Sequence, residues 1–315
     1  MRSETAGVSR AEDLSGPVPS ARSRRPPSGR LYALILLMVF LWAANFLIGK
    51  VALREFPALL LAGMRTSLAA LLILPLYLWK RGRTGSGIAR QDRARLVLLG
   101  VLGVTLNQVF FVGGLALTSA SHSSVLMSLT PVLVLLLAAA TGQERITLQK
   151  AAGMAAALAG AVTLSGAPSK SSGASVVGDL LIFLAALAFA AFTVAGKRPS
   201  ASYGSITVNT FAYVGGALML APLTLGYAFR FDFAAVSAAA WASFVYMAVF
   251  PSLVCYLIFS YALAWLPGSR LTAFGYLQPF LATAGAALLL GEPITAGLVA
   301  GGVLVLAGVY LAERA

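Results

Sequence analysis

LQPFLATAGAALLLGEPIT, residues 277–295, and LTPVLVLLLAAATGQERIT, residues 129–147, are two versions of one segment. At an offset of 148 they share Leu129/Leu277, Pro131/Pro279, Glu144/Glu292, Ile146/Ile294 and Thr147/Thr295. The register continues without a gap through Gly153/Gly301 and through Leu158-Ala159-Gly160/Leu306-Ala307-Gly308. An internal repeat of this kind fixes the architecture before any local reading does.

Outward from that stretch, the chain divides into ten apolar segments, roughly 31–53, 58–79, 96–118, 122–140, 147–166, 176–197, 205–228, 239–263, 269–290 and 294–312. Each is long enough to cross about 30 Å of hydrocarbon at ~1.5 Å per residue. Each repeat holds five segments, so the second must enter the bilayer from the side opposite the first. The fold expected is an all-α membrane protein of ten transmembrane helices built as two inverted five-helix repeats, 31–166 and 176–312. Residues 1–30, rich in Arg, Ser and Pro, read as a disordered cytoplasmic tail. The GAPSKSSGAS stretch reads as a flexible linker over 167–175, and 313–315 as a cytoplasmic end. Arg24-Arg25 raises a twin-arginine signal, but the prolines that follow and the length of the first apolar run argue against it.

Composition agrees: 59% of residues are hydrophobic and 10% charged. The net charge of +13 does not point to nucleic acid, because the cations sit in the tail and short loops. With the N-terminus inside, the inner face collects the tail arginines, the 80–95 loop, Arg145, Lys150, Lys197, Arg198, Arg270 and Arg314. The outer face receives only Arg54, Lys170 and Arg230. Both termini are therefore expected in the cytoplasm, in a multi-pass protein of the plasma (inner) membrane. The single cysteine, Cys255, excludes an internal disulfide and reads as a packed small side chain. No His/Cys/Asp/Glu cluster has metal spacing, and no Gly-rich loop ends in a P-loop lysine, so neither metal nor cofactor is expected.

WAANFLIGK at the end of segment one, Arg65, the GLALTSASHSSVLMSLTP run and the LxP-to-GE stretch of both halves resemble the EamA-domain type of the drug/metabolite transporter superfamily. The resemblance covers about residues 31–312. It implies a ten-helix inverted-repeat permease for small organic solutes, often amino acids or other metabolites and commonly moved outward.

An amide in hydrocarbon is costly unless partners or water meet it, so Trp42, Asn45 and Gly49, on one helix face, should look into the bundle. Segments three and four add Asn107, Phe110, Ser128 and Thr130, and segment six adds Phe192. Segments eight and nine add Tyr256, Tyr276 and Gln278. These form the candidate solute site, against the simpler reading that the amides only join helices. Pro131 and Pro279 interrupt matching helices, the best pointer to a carrier's centre. Lys50 and Lys197 are near-mates about the midplane and could guard two mouths, although snorkelling anchors explain them as well. Arg65, deep in segment two and matched by Tyr213, needs a counter-group; Glu55 and helix-end carbonyls are the candidates, in a structural or gating pair. His122 reads as an interfacial histidine. Glu144 and Glu292 read as caps of the helices that follow them.

The function expected is a secondary carrier, an exporter of small organic metabolites such as amino acids or amphipathic compounds, alternating access between the repeats. Two readings from other classes stand beside it. A membrane-embedded enzyme would reveal itself by converting a lipid or metabolite, and a non-transporting assembly or sensor subunit by a stable partner without flux. Whether the chain is a monomer or homodimer stays open.

Overall fold

A computed structural model of the chain describes residues 26–84, 88–164, 175–281 and 296–314. Residues 1–25 of the tail, 167–174 of the linker and the turn carrying Glu292 lie outside the described residues, as does the side chain of His122. The tail reading is corrected at residues 28–30, which belong to the first helix. All described secondary structure is helical. Segment one is the helix Ser28–Ala52 and segment two Ala58–Thr84. Segment three runs from Arg93 to Leu117 through a π-helical stretch, Gly100–Leu106. Segment four is broken into Ala120–Met127 and Thr130–Ala140, and segment five is Leu148–Leu164.

Six of the described helices are long and apolar enough to cross a membrane, and one of these, Val176–Ala228, contains two crossings. Gly204 interrupts it with φ 76° and ψ 164°, a backbone state open to glycine and strained for other residues. The contacts on either side show that the chain reverses there. Gly178 packs on Leu117 and Gly103 on Phe192, so segment six runs against segment three, while Gly100 packs on Ala212 and Gly216 on Val104, so segment seven runs with it. Segments six and seven therefore run in opposite directions, joined directly at the Gly204 corner.

Segment eight is the helical run Ala238–Met247, Ala248–Val254 and Cys255–Trp265, and its middle piece is again π-helical. Gly100–Leu106 and Ala248–Val254 are register mates at the offset of 148. So are the pieces that follow, Asn107–Leu117 and Cys255–Trp265, each ending on an extended residue, Thr118 and Leu266. Segment nine opens as Gly268–Ala273 and tightens at Phe274–Tyr276, the mates of Leu126–Ser128 where segment four breaks. Segment ten is Ala296–Arg314. The repeat read from side chains thus recurs in the backbone irregularities.

Tyr32 donates to Glu313 at 2.5 Å, which puts the start of segment one and the end of segment ten on one face, here the terminal face. Segments five and ten cross antiparallel at two glycine pairs. A Cβ on Gly308 would stand 2.5 Å from the Gly153 carbonyl oxygen, and one on Gly160 2.7 Å from that of Gly301. Each glycine faces the mate of the other, the reciprocal contact that a two-fold relation between repeats demands. The absence of a side chain at Gly153, Gly160, Gly301 and Gly308 lets the two backbones touch. Lipid-side positions carry exposed Phe40, Leu71, Trp79, Leu218 and Tyr310, as a helix bundle facing hydrocarbon should.

Candidate functional site

Segment one supplies the first wall. Its Trp42 indole donates to the Pro251 carbonyl at 3.2 Å and meets Phe189, Tyr256 and Phe259 at ring separations of 5.6, 6.1 and 5.8 Å. One turn on, Asn45 is buried and its Oδ1 has no partner. These side chains border a cavity of about 80 Å³. Segments one, two, three, four, six, eight and nine all contribute to its lining, so both repeats wall it. The volume is several times the ~10–15 Å³ needed for one water.

The polar wall is made by side chains, Asn45, Arg65, Asn107, Gln108, Thr130, Thr272 and Gln278. Groups in or beside the two π-helical turns hold Arg65 and Tyr256 in place. Such a turn carries an extra residue, so the ladder shifts and carbonyls are released toward neighbours. Pro251 also lacks an N–H, which leaves a carbonyl of the preceding turn without its helical donor. Met247 O accepts from Ser252 Oγ at 2.9 Å and from Arg65 Nη2 at 3.2 Å. Gly103 O accepts from the Tyr256 hydroxyl at 2.7 Å, with Asn107 Oδ1 3.0 Å from the same hydroxyl. Asn107 Nδ2 donates to Ala185 O at 2.9 Å.

Arg65 is 2% exposed. Its Nε donates to Ser252 Oγ at 3.0 Å, so its partners are a serine and a helix carbonyl, and not Glu55. Glu55 is engaged elsewhere: its two carboxylate oxygens accept the backbone N–H and the hydroxyl of Ser237, each at 2.6 Å. Both bonds hold its carboxyl below the usual carboxylate range. The geometry decides this, because Glu55 lies past the end of segment one while Arg65 is two turns inside segment two.

Glu144 makes the matching grip on the terminal face. Its carboxylate accepts the Ser269 N–H at 3.1 Å, the Ser269 hydroxyl, and the Lys150 ammonium at 2.9 Å. Burial pushes this carboxyl up, but the Ser269 and Lys150 contacts outweigh it and leave the group below its ordinary value. The expected capping of segment five is therefore corrected. Thr147 does it, accepting the Lys150 N–H at 3.2 Å, because a hydroxyl at the helix start reaches the third N–H. Glu144 instead joins the first repeat to the start of segment nine in the second.

Of the residues read from sequence as solute-facing, Trp42, Asn45, Asn107, Thr130, Tyr256 and Gln278 line the cavity. Arg65 and Pro131, read as gating, line it too. Four lie apart from that wall. Phe110 is packed in the cluster of Phe46 and Phe111. Ser128 bonds back to Ser124 O at 2.9 Å. Phe192 is fully buried behind Gly103. Tyr276 is fully buried, its hydroxyl without a partner. Pro131 starts the second half of segment four instead of kinking a continuous helix, since the break precedes it at Ser128–Leu129. Pro279 sits in the corresponding part of segment nine. Lys50 is half-buried at the end of segment one. Lys197 lies on the terminal side, donating to Leu263 O at 2.6 Å and Leu266 O at 2.5 Å, so it caps the end of segment eight. Gln108, Met127, Pro251 and Thr272 also line the cavity and were not singled out; Gln108, an amide within segment three, and Pro251, in mid-segment, were the available signals.

A ten-helix bundle of two inverted repeats around a shared, partly polar cavity is the form of a membrane transporter. The EamA-like transporter family pattern matches the chain twice, over residues 29–166 and 176–313, and the chain belongs to that family. An uncharacterized transporter of Archaeoglobus fulgidus is 30% identical over 90% of this chain and 98% of its own length. A protein of Streptantibioticus cattleyicolor named "probable terminal-alkyne amino-acid exporter" is 31% identical, covering 91% of this chain and 94% of that one. A Salmonella typhimurium protein named "probable amino-acid metabolite efflux pump" is 27% identical over 88% and 93%. A solved crystal structure at 19% identity shares the fold, with a TM-score of 0.70 over 91% of this chain and 97% of that one.

Proposed function

We propose that this protein is a secondary carrier of the plasma membrane that exports small, neutral or zwitterionic organic solutes, amino acids or amphipathic compounds among them. The observation that carries the reading is the central cavity, walled by both repeats and holding buried polar atoms without protein partners amid aromatic rings. Asn45 Oδ1 and Thr130 Oγ1 are such atoms. A buried polar atom left unpaired costs about 1–3 kcal/mol, and a solute that satisfies it recovers that cost. Two relatives named for amino-acid export lend the solute class support.

Movement between faces is the second half of the proposal. Glu55–Ser237 and Glu144–Ser269 tie the two repeats together at opposite faces, and opening either face requires its grip to part. The test is counterflow: the purified chain in sealed vesicles preloaded with unlabelled amino acids should draw in labelled ones transiently. A panel of amino acids and metabolites that gives no counterflow and no thermal stabilisation would refute the carrier reading.

A further inference from the structure

Arg65 places a full positive charge at the wall of an otherwise neutral cavity. Among the described residues no carboxylate pairs with it: Glu55 is held by Ser237 and Glu144 by Ser269 and Lys150. Asp92 bonds Tyr203 and Arg95, and Asp179 bonds Thr118. A guanidinium offers five N–H donors in a planar fork. Two of its nitrogens are tied to segment eight, through Ser252 and Met247, which fixes the plane. The third, Nη1, is buried and makes no bond to protein.

We propose that this free end of Arg65 binds the carboxylate of the solute, so that the carried class is monocarboxylic acids with an apolar body, apolar α-amino acids first among them. The proposal rests on the carrier reading above and deepens it, widening the carried charge from zwitterions to monocarboxylate anions with an apolar body. A rigidly held guanidinium suits a carboxylate geometrically, and in a site shielded from water a charge-assisted bond is about twice as strong as a neutral one. The body of the solute would lie against Trp42, Phe46, Phe111, Phe189 and Phe259. Asn45 Oδ1 and Thr130 Oγ1, the other unpartnered atoms of the wall, can accept from an α-ammonium group. Arg65 thereby acts as a binding residue, and Ser252 and the Met247 carbonyl as groups that position it.

The test compares probes that differ only in the group at issue, on the unaltered full-length protein in nanodiscs. Leucine, phenylalanine and 4-methylpentanoate retain the carboxylate; leucinamide and phenylalaninamide lack it. The carboxylates should bind and compete for counterflow, and each amide should bind at least about 30-fold more weakly than its parent acid. Arg65→Gln should abolish the difference between acid and amide, and Arg65→Lys should retain part of it. Amides that bind or move as well as their acids would overturn the role of Arg65 while leaving a carrier in place. Failure of every probe, with and without carboxylate, to bind or move would overturn the carrier reading as well.

Discussion

Glu144 and Ser269 meet across the seam between the repeats, the carboxylate taking both the backbone N–H and the hydroxyl of the serine. Glu55 grips Ser237 in the same way at the opposite face. In both pairs the acid comes from the first repeat and the serine stands at or near the start of a helix of the second. The anion also faces the positive end of that helix, which favours its charged form.

Loss of the Glu144 grip should be visible in the pH dependence of stability. The carboxyl is held below its ordinary value in the folded protein, so its stabilisation is fully present above the unfolded value and disappears as pH falls through the folded one. Glu144→Gln should lower stability by about 1–3 kcal/mol at neutral pH. Its melting curve should converge with that of the unaltered protein on acidification. A gap that stays constant from pH 7 to pH 3 contradicts the assignment.

The glycine crossing sets a second expectation. A Cβ on Gly308 would stand 2.4 Å from the backbone nitrogen of Ala157, which cannot swing aside as a flexible side chain could. Gly308→Ala should destabilise by about 1–3 kcal/mol, as overpacking does. Gly226→Ala, with nothing within 4 Å of its Cβ, should change stability by no more than about 0.5 kcal/mol. Equal effects of the two substitutions would remove the crossing as a point of close approach.

Asn45 and Asn107 look alike in sequence and should behave differently. Asn107 is bonded to Ala185 and Tyr256, so Asn107→Ala should lower melting temperature along with flux. Asn45 Oδ1 has no protein partner, so Asn45→Ala should weaken solute binding at nearly unchanged stability. Melting curves and counterflow at matched folded amount separate the two, and a large stability loss in Asn45→Ala would reverse the assignment.

Topology can be read with single thiols on a Cys255→Ser background. From arginine and lysine placement, both termini are expected inside and residue 170 outside. A cysteine at 170 should react with an impermeant reagent in intact cells, and one in the 80–95 loop only after lysis. The reverse pattern would invert the molecule.

Energy coupling is the last expectation. Among the described residues, Glu55, Asp92, Glu144, Asp179, Asp232 and Glu313 all stand at segment ends or in loops. Proton-driven carriers keep a titratable group at mid-membrane depth. Flux in proteoliposomes should follow the solute gradient, with no uphill accumulation under a pH step alone. Accumulation that survives His122→Ala would expose a protonatable group elsewhere.

The repeat, its offset and the bundle were legible because they depend on residue identities that recur. Arg65 was recognisable as a charge in need of partners, but not its partners, since Met247 contributes a carbonyl that any residue at that position would offer. Ser237 and Ser269 were overlooked for a related reason: a serine near a helix start is ordinary, and only the approach of the other repeat gives it a role. The π-helical turns left no periodic trace, because 100–106 and 248–254 hold one polar residue each, Thr105 and Ser252, too few to mark a face that one inserted residue would shift.

Those two turns bear on how such a protein changes over generations. Met247, Pro251 and Gly103 offer main-chain oxygens that hold Arg65, Trp42 and Tyr256 in place, and no replacement of a side chain deletes an oxygen of the main chain. Point mutation can reshape the aromatic and aliphatic wall while this polar footing persists. A one-residue deletion within 100–106 or 248–254 would instead restore a regular helix and withdraw it. The placement of Arg65, Trp42 and Tyr256 should thus withstand substitution within these turns, whereas a change of chain length there should displace them.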